Sequence, residues 1–233
     1  MSFLRLPGEA DPTPEHAGPK GMDHGRRIGV ALRILLYRNR IRGLENVPNA
    51  GPVLFVPNHT NFIDGPVLFG VLPRRVSFLV KSEAVKGALG WVLTNVGQYP
   101  LKRDVPDRTP LMAALGQLKA GGCIGIFPEG SRGEGKVANV FNGAGWLAVR
   151  SGATVVPVAI RGTDRPAGSG RRFRPLVNYL IGSPFDVPMG AGKKAVDAAT
   201  AQIQHQLSTL VQRLDTELAS RRRQMERPTR ERD

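Results

Sequence analysis

The sequence predicts a single α/β domain in which helices flank a mixed or largely parallel β-sheet, preceded by an amphipathic helix. Short apolar segments alternate along the 233-residue chain with segments of helical periodicity, which is the pattern of such a sheet. No internal repeat and no clean linker divides the sequence into two domains. With 41% hydrophobic residues, the chain can bury one substantial core.

Buried strands and amphipathic helices account for most of the sequence. Apolar segments that run into polar turns predict strands over 52–58, 76–81, 123–130, 153–160 and 176–187, with a short extended piece over 97–104. Segments with one apolar face predict helices just past Asp64 and over 83–96, 107–119, 142–150 and 195–223. Polar turns that follow buried strands are where α/β folds place their chemistry, so a functional site is expected in these turns.

The N-terminal part of the sequence differs in character. Residues 1–25 are rich in Pro, Gly and charge, and are predicted to be disordered. Residues 26–42 predict an amphipathic helix, because apolar residues recur at helical spacing among arginines: Ile28, Ala31, Leu32, Leu35 and Leu36. The apolar part is too short to cross a bilayer, which takes roughly 20 residues. The helix either lies in a membrane interface or covers the core, and the pattern leaves both open.

The remaining chain divides by composition into two parts. The folded domain is predicted over 43–220, and residues 221–233 form a basic tail. The one cysteine, Cys123, excludes an internal disulfide and a cysteine-rich metal site.

The charge of the chain favours an anionic partner. A net charge of +14 favours nucleic acid, an acidic membrane face, an acidic protein or a phosphorylated substrate. A basic surface that only faces solvent is the alternative. Because 6% of the residues are aromatic, stacking on single-stranded nucleic acid has little support.

A histidine and an aspartate follow the first predicted strand, in the segment NHTNFID. His59 comes directly after the strand, and the chain can turn so that Asp64 meets it. A carboxylate that bonds one ring nitrogen of a histidine fixes its tautomer and makes the other nitrogen a general base. In the alternative, Asp64 caps the next helix and His59 fills a turn, and the pair alone favours that alternative.

Three further segments carry candidate binding residues. In FPEGSRG, the glycines allow close backbone approach and Arg132 offers a fork for phosphate. Ser131 is a turn or ligand hydroxyl, because a nucleophile elbow needs glycine where this chain has Glu129. Arg103 lies in the basic segment YPLKRD, and Lys81 ends an apolar strand, where it either reaches solvent or neutralises an oxyanion.

Taken together, these motifs resemble a known family. Four segments, called the first to fourth blocks below, follow one another: N-H-x4-D, a basic segment ending in arginine, FPEGSRG and VPV. Their order resembles the glycerolipid acyltransferases, most of all the bacterial 1-acylglycerol-3-phosphate acyltransferases. The similarity runs from about Gly43 to Val187. It implies an O-acyltransferase that moves a fatty acyl group from acyl-CoA or acyl carrier protein to the sn-2 hydroxyl of 1-acylglycerol 3-phosphate. The product would be phosphatidate, an intermediate of phospholipid biosynthesis.

The resemblance also implies residue roles. His59 is the general base, Asp64 orients it, and Lys81 lies near the thioester carbonyl. The fourth block contains Pro157, which contacts the acyl group of the donor. The acceptor's glycerol phosphate is assigned to the second and third blocks: Arg103, Glu129, Gly130 and Arg132, with Ser131 beside them.

The resemblance implies neither a metal nor a cofactor, since the thioester is already activated. The expected partners are lysophosphatidate, the acyl thioester, an anionic membrane surface and, as a further candidate, acyl carrier protein; nucleic acid is not expected. The expected location is the cytoplasmic face of the cell membrane, as a peripheral or monotopic protein.

Two alternatives remain at the level of sequence. Lys102 replaces an acidic residue often found in the second block, so the acceptor can instead be glycerol 3-phosphate, another lysophospholipid or a lyso-amino-acid lipid. The alternative of another class is a non-catalytic basic protein that binds anionic lipid or nucleic acid.

Overall fold

A computed structural model describes residues 11–81, 87–101, 108–129, 137, 140–164 and 173–226. Within these residues seven strands form one sheet: β1 (Arg38–Arg42), β2 (Val53–Pro57), β3 (Val76–Lys81), β4 (Tyr99–Leu101), β5 (Cys123–Gly125), β6 (Thr154–Arg161) and β7 (Leu176–Ile181). Their order across the sheet is β1-β7-β6-β2-β5-β3-β4. Neighbouring strands are parallel except β6 and β7, so the sheet is mixed and largely parallel, as predicted.

Helices cover both faces of the sheet. In chain order they are α1 (Pro19–Leu36), α2 (Asp64–Phe69), α3 (Gly87–Asn95), α4 (Thr109–Lys119), α5 (Gly143–Ser151) and α6 (Lys193–Glu226). Phe55 of β2 belongs to the core on the face that carries α2, and its neighbour Leu54 belongs to the core against α4 and α5. Because both faces are covered, β2 is buried along its whole length, which explains its unbroken apolar sequence.

The parallel arrangement brings four chain segments to one edge of the sheet. β5 and β6 flank β2 on either side, and both run in the same direction as β2. β3 lies next to β5, also in parallel. The segments that follow β2, β3, β5 and β6 therefore leave the same edge, and these segments contain most of the candidate residues.

The predicted elements of the domain are present, with shifted ends. The strand predicted over 76–81 has the same bounds in the structure. The strand predicted over 123–130 ends at Gly125, because the chain turns at Pro128 and Glu129. The strand predicted over 176–187 ends at Ile181 and leaves an isolated bridge between Val155 and Phe185.

The predicted N-terminal helix is present, with both of its ends shifted toward the N-terminus. The sequence places it over 26–42, whereas α1 begins at Pro19, and residues 38–42 form β1 beside β7. Proline suits the first turn of a helix, which accounts for the earlier start. The end follows from the segment RNRIR: arginines alternate there with other residues, which is the period of a strand.

Part of the segment predicted to be disordered packs on the domain. Arg74 Nη2 lies 2.6 Å from the Asp11 carboxylate, and both side chains are buried. Arg75 pairs with Asp23 in α1. Two arginines at the start of β3 thus obtain acidic partners from the N-terminal residues, a long-range pairing that local composition does not reveal. Residues 1–10 lie outside the described part of the chain, as do residues 227–233 of the predicted basic tail.

A close contact between α1 and α2 fixes the position of α2. A Cβ atom on Gly29 of α1 would lie 2.7 Å from the carbonyl oxygen of Pro66 and 2.9 Å from the backbone nitrogen of Gly70. Only glycine lets the helices approach this closely. Among the described helices, α1 included, none is long and apolar enough to cross a membrane.

We predict that Gly29→Ala destabilises the protein by roughly 1–3 kcal/mol, because the added methyl group meets backbone atoms of α2 that cannot move independently. Gly116→Ala in α4 is the matched control, since none of the residues that the structure describes comes within 4 Å of its added Cβ atom. That control should gain roughly 0.5–1 kcal/mol from helix propensity. Denaturant unfolding measures both variants, and a Gly29→Ala variant as stable as Gly116→Ala would refute the close contact.

Candidate active site

The site begins where Asn58 extends the ladder between β2 and β6. Its side-chain amide donates to the carbonyl of Ile160 at 3.3 Å, and its Oδ1 accepts the Ile160 N–H at 2.7 Å. The backbone N–H of Asn58 still donates to Val158, and its fully buried side chain takes the place of the backbone partners of Ile160. The next residue, His59, is therefore held at the end of a rigid strand.

The turn after β2 closes around the carboxylate of Asp64. The backbone N–H groups of Thr60 and Asn61 donate to Asp64 Oδ2 at 2.8 and 2.7 Å. Nδ1 of His59 lies 3.0 Å from the same oxygen. Asp64 is fully buried, so these bonds replace the water it has lost. The predicted contact between His59 and Asp64 is confirmed.

This geometry determines the tautomer of His59. Oδ2 already accepts two backbone N–H bonds, so the hydrogen between it and Nδ1 belongs to the imidazole. Nε2 is then left with its lone pair, as a general base requires. The ring stacks on Phe127 at 4.2 Å between centroids, and its side chain is 17% exposed. The imidazole is thus fixed in orientation and accessible from one side.

Glu129 ties a second turn to the first. Its carboxylate accepts the backbone N–H of His59 at 2.9 Å, which links the turn after β5 to the turn after β2. Burial raises the pKa of Glu129, and hydrogen bonds from the backbone N–H groups of His59 and Val137 oppose that shift. The Glu129 carboxylate therefore helps to hold the backbone of His59 in place.

Comparison with known proteins identifies the family. A family model described as Acyltransferase matches residues 38–161, more than half of the chain. The protein belongs to the acyltransferase family. The match includes both His59 and Asp64.

Two curated relatives and one solved structure show how far the similarity extends. The chloroplastic 1-acyl-sn-glycerol-3-phosphate acyltransferase of Arabidopsis thaliana is 34% identical over 140 residues, 57% of this chain and 39% of that protein. A lyso-ornithine lipid O-acyltransferase of Pseudomonas aeruginosa is 34% identical over 112 residues, 47% of this chain and 43% of that protein. The chain thus spans about two fifths of the length of these relatives. The crystal structure of the 1-acyl-sn-glycerophosphate acyltransferase PlsC of Thermotoga maritima matches with a TM-score of 0.63 and 25% identity, over 83% of this chain and 79% of that one.

Two other candidate residues of this acyltransferase-family chain have defined positions. Lys81 is the last residue of β3 and its side chain is exposed, at the same edge as His59 but beyond the intervening β5. Pro157 is buried within β6, opposite Val56 of β2, and so lies inside the sheet. Their roles at the thioester carbonyl and at the acyl group stay predictions.

The predicted phosphate-binding residues lie mostly outside the described part of the chain: Arg103, Gly130, Ser131 and Arg132. The described residues that precede them are Leu101, which ends β4, and Glu129. Leu101 lies at the edge of the sheet that carries His59, and Glu129 binds the backbone of His59. Within the described ranges, no group of three His, Cys, Asp or Glu residues is arranged to hold a metal ion.

Two residues of the site were not predicted from the sequence. Asn58 directly follows β2, and Thr163 lies two residues after the end of β6 and donates a hydrogen bond to Asp64 at 2.5 Å. The signal that singled out His59, a polar residue after a buried strand, applies to both. Thr163 lies two residues beyond the match to the family model.

The raised pKa of Glu129 predicts how the free energy of unfolding depends on pH. Its folded pKa exceeds its unfolded value, so its contribution to stability is present at low pH and is lost as pH rises through the folded pKa. Glu129→Gln cannot titrate, so its stability relative to the wild type should rise between pH 4 and pH 8.

Glu217→Gln supplies a control of opposite sign. A hydrogen bond from Arg42 lowers the pKa of Glu217, so that carboxylate stabilises the fold above its unfolded pKa. The stability of Glu217→Gln relative to the wild type should therefore fall as the pH rises toward 4.5, the ordinary pKa of the group. Urea unfolding at several pH values measures both differences, and equal slopes for the two variants would contradict the assignment.

Proposed function

We propose that this protein transfers a fatty acyl group from a thioester to the sn-2 hydroxyl of 1-acylglycerol 3-phosphate, giving phosphatidate. The observation that carries the proposal is the His59–Asp64 pair, in which Asp64 binds Nδ1 and Nε2 is left to accept a proton. The similarity to a 1-acyl-sn-glycerol-3-phosphate acyltransferase supports the choice of acceptor.

The proposed reaction uses His59 as base and then as acid. Nε2 removes the proton of the acceptor hydroxyl while that oxygen attacks the thioester carbonyl carbon. The tetrahedral intermediate collapses, the carbon–sulfur bond breaks, and the sulfur leaves with the proton from Nε2. The ester bond is formed and the imidazole is neutral again, so no acyl-enzyme is needed. Asp64 stabilises the imidazolium that exists between the two transfers.

The basic residues of the site suit anionic substrates. We assign the acceptor phosphate to Arg103 and Arg132, since guanidinium groups bind phosphate through two parallel hydrogen bonds. Acyl-CoA and acyl carrier protein are both negatively charged, and the net charge of +14 favours the approach of either donor. Lys81 is assigned to the carbonyl oxygen of the thioester, where negative charge develops.

A second acceptor has specific support. A relative of similar identity is a lyso-ornithine lipid O-acyltransferase. The His59–Asp64 pair, called the dyad below, would serve that acceptor as well, because general-base catalysis requires only a hydroxyl group on the acceptor. Lyso-ornithine lipid is therefore the second candidate.

The burial pattern of α1 supports a membrane surface as the place of action. Arg26 and Arg33 face inward and are buried, and the Arg26 side chain donates to the carbonyl of Leu72. Ile28 and Leu35, two turns apart, face outward, and Leu35 is 69% exposed. A helix that only covers a core would show the opposite pattern.

The helix α3, which contacts α1, also exposes an apolar side chain. α3 approaches α1 closely, since a Cβ atom on Gly21 would meet the carbonyl of Asn95, and Trp91 in α3 is 70% exposed. The exposed Arg38 and Arg40 follow directly after α1. Apolar side chains beside arginines fit a bilayer surface with anionic headgroups, and we propose that α1 docks there.

The activity is tested with His59→Ala. With acyl-CoA or acyl carrier protein as donor, acylation of lysophosphatidate should fall about 10²–10⁴-fold, the usual contribution of a general base. His205→Ala is the control, because His205 is exposed on α6. Mass spectrometry of the products, with lysophosphatidate, lyso-ornithine lipid and glycerol 3-phosphate compared by kcat/KM, ranks the acceptors. A wild-type protein that acylates none of them, or a folded His59→Ala protein at full rate, would refute the proposal.

Membrane docking is tested with Leu35→Glu. Binding to vesicles that contain anionic phospholipid should weaken roughly tenfold or more, because burial of a leucine is lost and a negative charge faces the headgroups. Met112→Glu is the matched control, as Met112 is 53% exposed on α4 at the opposite face of the sheet. Vesicle sedimentation measures both, and equal weakening would show that charge alone, not the α1 surface, decides binding.

A further inference from the structure

Thr163 is held against the dyad by a turn that only glycine permits. Gly162 follows the end of β6 with a φ angle of +100°, and a Cβ atom there would lie 2.3 Å from the carbonyl oxygen of Leu176. The turn directs Thr163 back toward the segment after β2. Thr163 is buried, at 4% exposure.

The contacts of Thr163 all lead to the turn that carries the dyad. Its hydroxyl donates to Asp64 Oδ1 at 2.5 Å, and its carbonyl accepts the Asn61 side-chain N–H at 2.9 Å. The hydroxyl oxygens of Thr60 and Thr163 lie 3.1 Å apart. The residue thus joins β6 to the turn after β2 through both its side chain and its backbone.

The two carboxylate oxygens of Asp64 differ in the number of hydrogen-bond donors around them. Oδ2 lies within hydrogen-bond distance of His59 Nδ1 and of the N–H groups of Thr60 and Asn61, whereas Oδ1 has Thr163 as its one donor among the described residues. A buried carboxylate oxygen without a donor is costly, so the carboxylate would rotate or attract a proton if this hydroxyl were absent. We propose that Thr163 is the positioning residue that fixes the Asp64 carboxylate toward His59.

The inference rests on the proposed base catalysis and adds a residue to it. Glu129 after β5 interacts electrostatically with His59, and Tyr179 of β7 with Asp64. Arg161 at the end of β6 in turn interacts with Glu129, and Arg33 of α1 and Tyr37 interact with Tyr179. A change at Thr163 leaves all of these in place. Removal of its hydroxyl takes one donor from the carboxylate, which increases the proton affinity of the pair. The acid limb of the pH–rate profile should therefore move to higher pH.

The test compares Thr163→Val and Thr163→Ala, which lack the hydroxyl, with Thr163→Ser, which keeps it. Thr200→Val is the control, because Thr200 is a buried threonine on α6 whose hydroxyl has no hydrogen-bond partner among the described residues. Measurements are kcat, KM and the pH profile of lysophosphatidate acylation, with thermal unfolding and with His59→Ala in parallel.

We expect Thr163→Val and Thr163→Ala to lower kcat roughly 10–100-fold, as for a hydrogen bond to a charged group, with KM nearly unchanged and the acid limb shifted upward. Thr163→Ser should restore both kcat and the profile, and Thr200→Val should leave them unchanged. Wild-type kcat and profile in either folded hydroxyl-free variant would overturn the inference, as would Thr163→Ser impaired to the same degree. If His59→Ala keeps full activity, the proposed function itself fails, whatever the Thr163 variants show.

Discussion

The buried carboxylate of Asp64 is the interaction on which the site depends. It lies at the start of α2, away from water, and accepts hydrogen bonds from the turn after β2 and from Thr163 after β6. Through His59 the network continues to Glu129 after β5. Segments that follow three adjacent parallel strands are thereby joined around one carboxylate. Since a buried carboxylate needs its donors, the turn can hold its geometry without support from substrate.

The topology of the sheet makes this convergence possible. β2 lies between β5 and β6 and runs parallel to both, so the three turns meet at one edge. The same face of the sheet carries α2 and its contact with α1, where Gly29 allows the two helices to touch. Asp64 begins α2, so α1, with Leu35 exposed on its outer side, packs directly on the helix that carries the Asp64 carboxylate. Membrane docking and catalysis are thus proposed for adjacent parts of one face.

The sequence predicted the strands of the sheet well, because buried parallel strands have unbroken apolar sequences, as in β2 and β3. The contact between His59 and Asp64 was also predictable, since it spans a single tight turn and is supported by a family resemblance. The bonds from Glu129 and Thr163 were not, because they join residues about seventy and one hundred positions apart through the sheet. Strand β1 was not predicted, because its short alternating sequence directly follows a longer segment with helical spacing of apolar residues. Its pairing with β7 decides its structure.

The position of the hydrogen on the His59 imidazole is measured most directly by nitrogen-15 NMR of the ring. In the neutral ring we expect the hydrogen on Nδ1, directed at Asp64, and no hydrogen on Nε2. In Asp64→Ala this preference should be lost. A neutral ring with its hydrogen on Nε2 in the wild-type protein would contradict the proposed role of His59 as general base. Nε2 would then have no lone pair to take the proton of the acceptor hydroxyl.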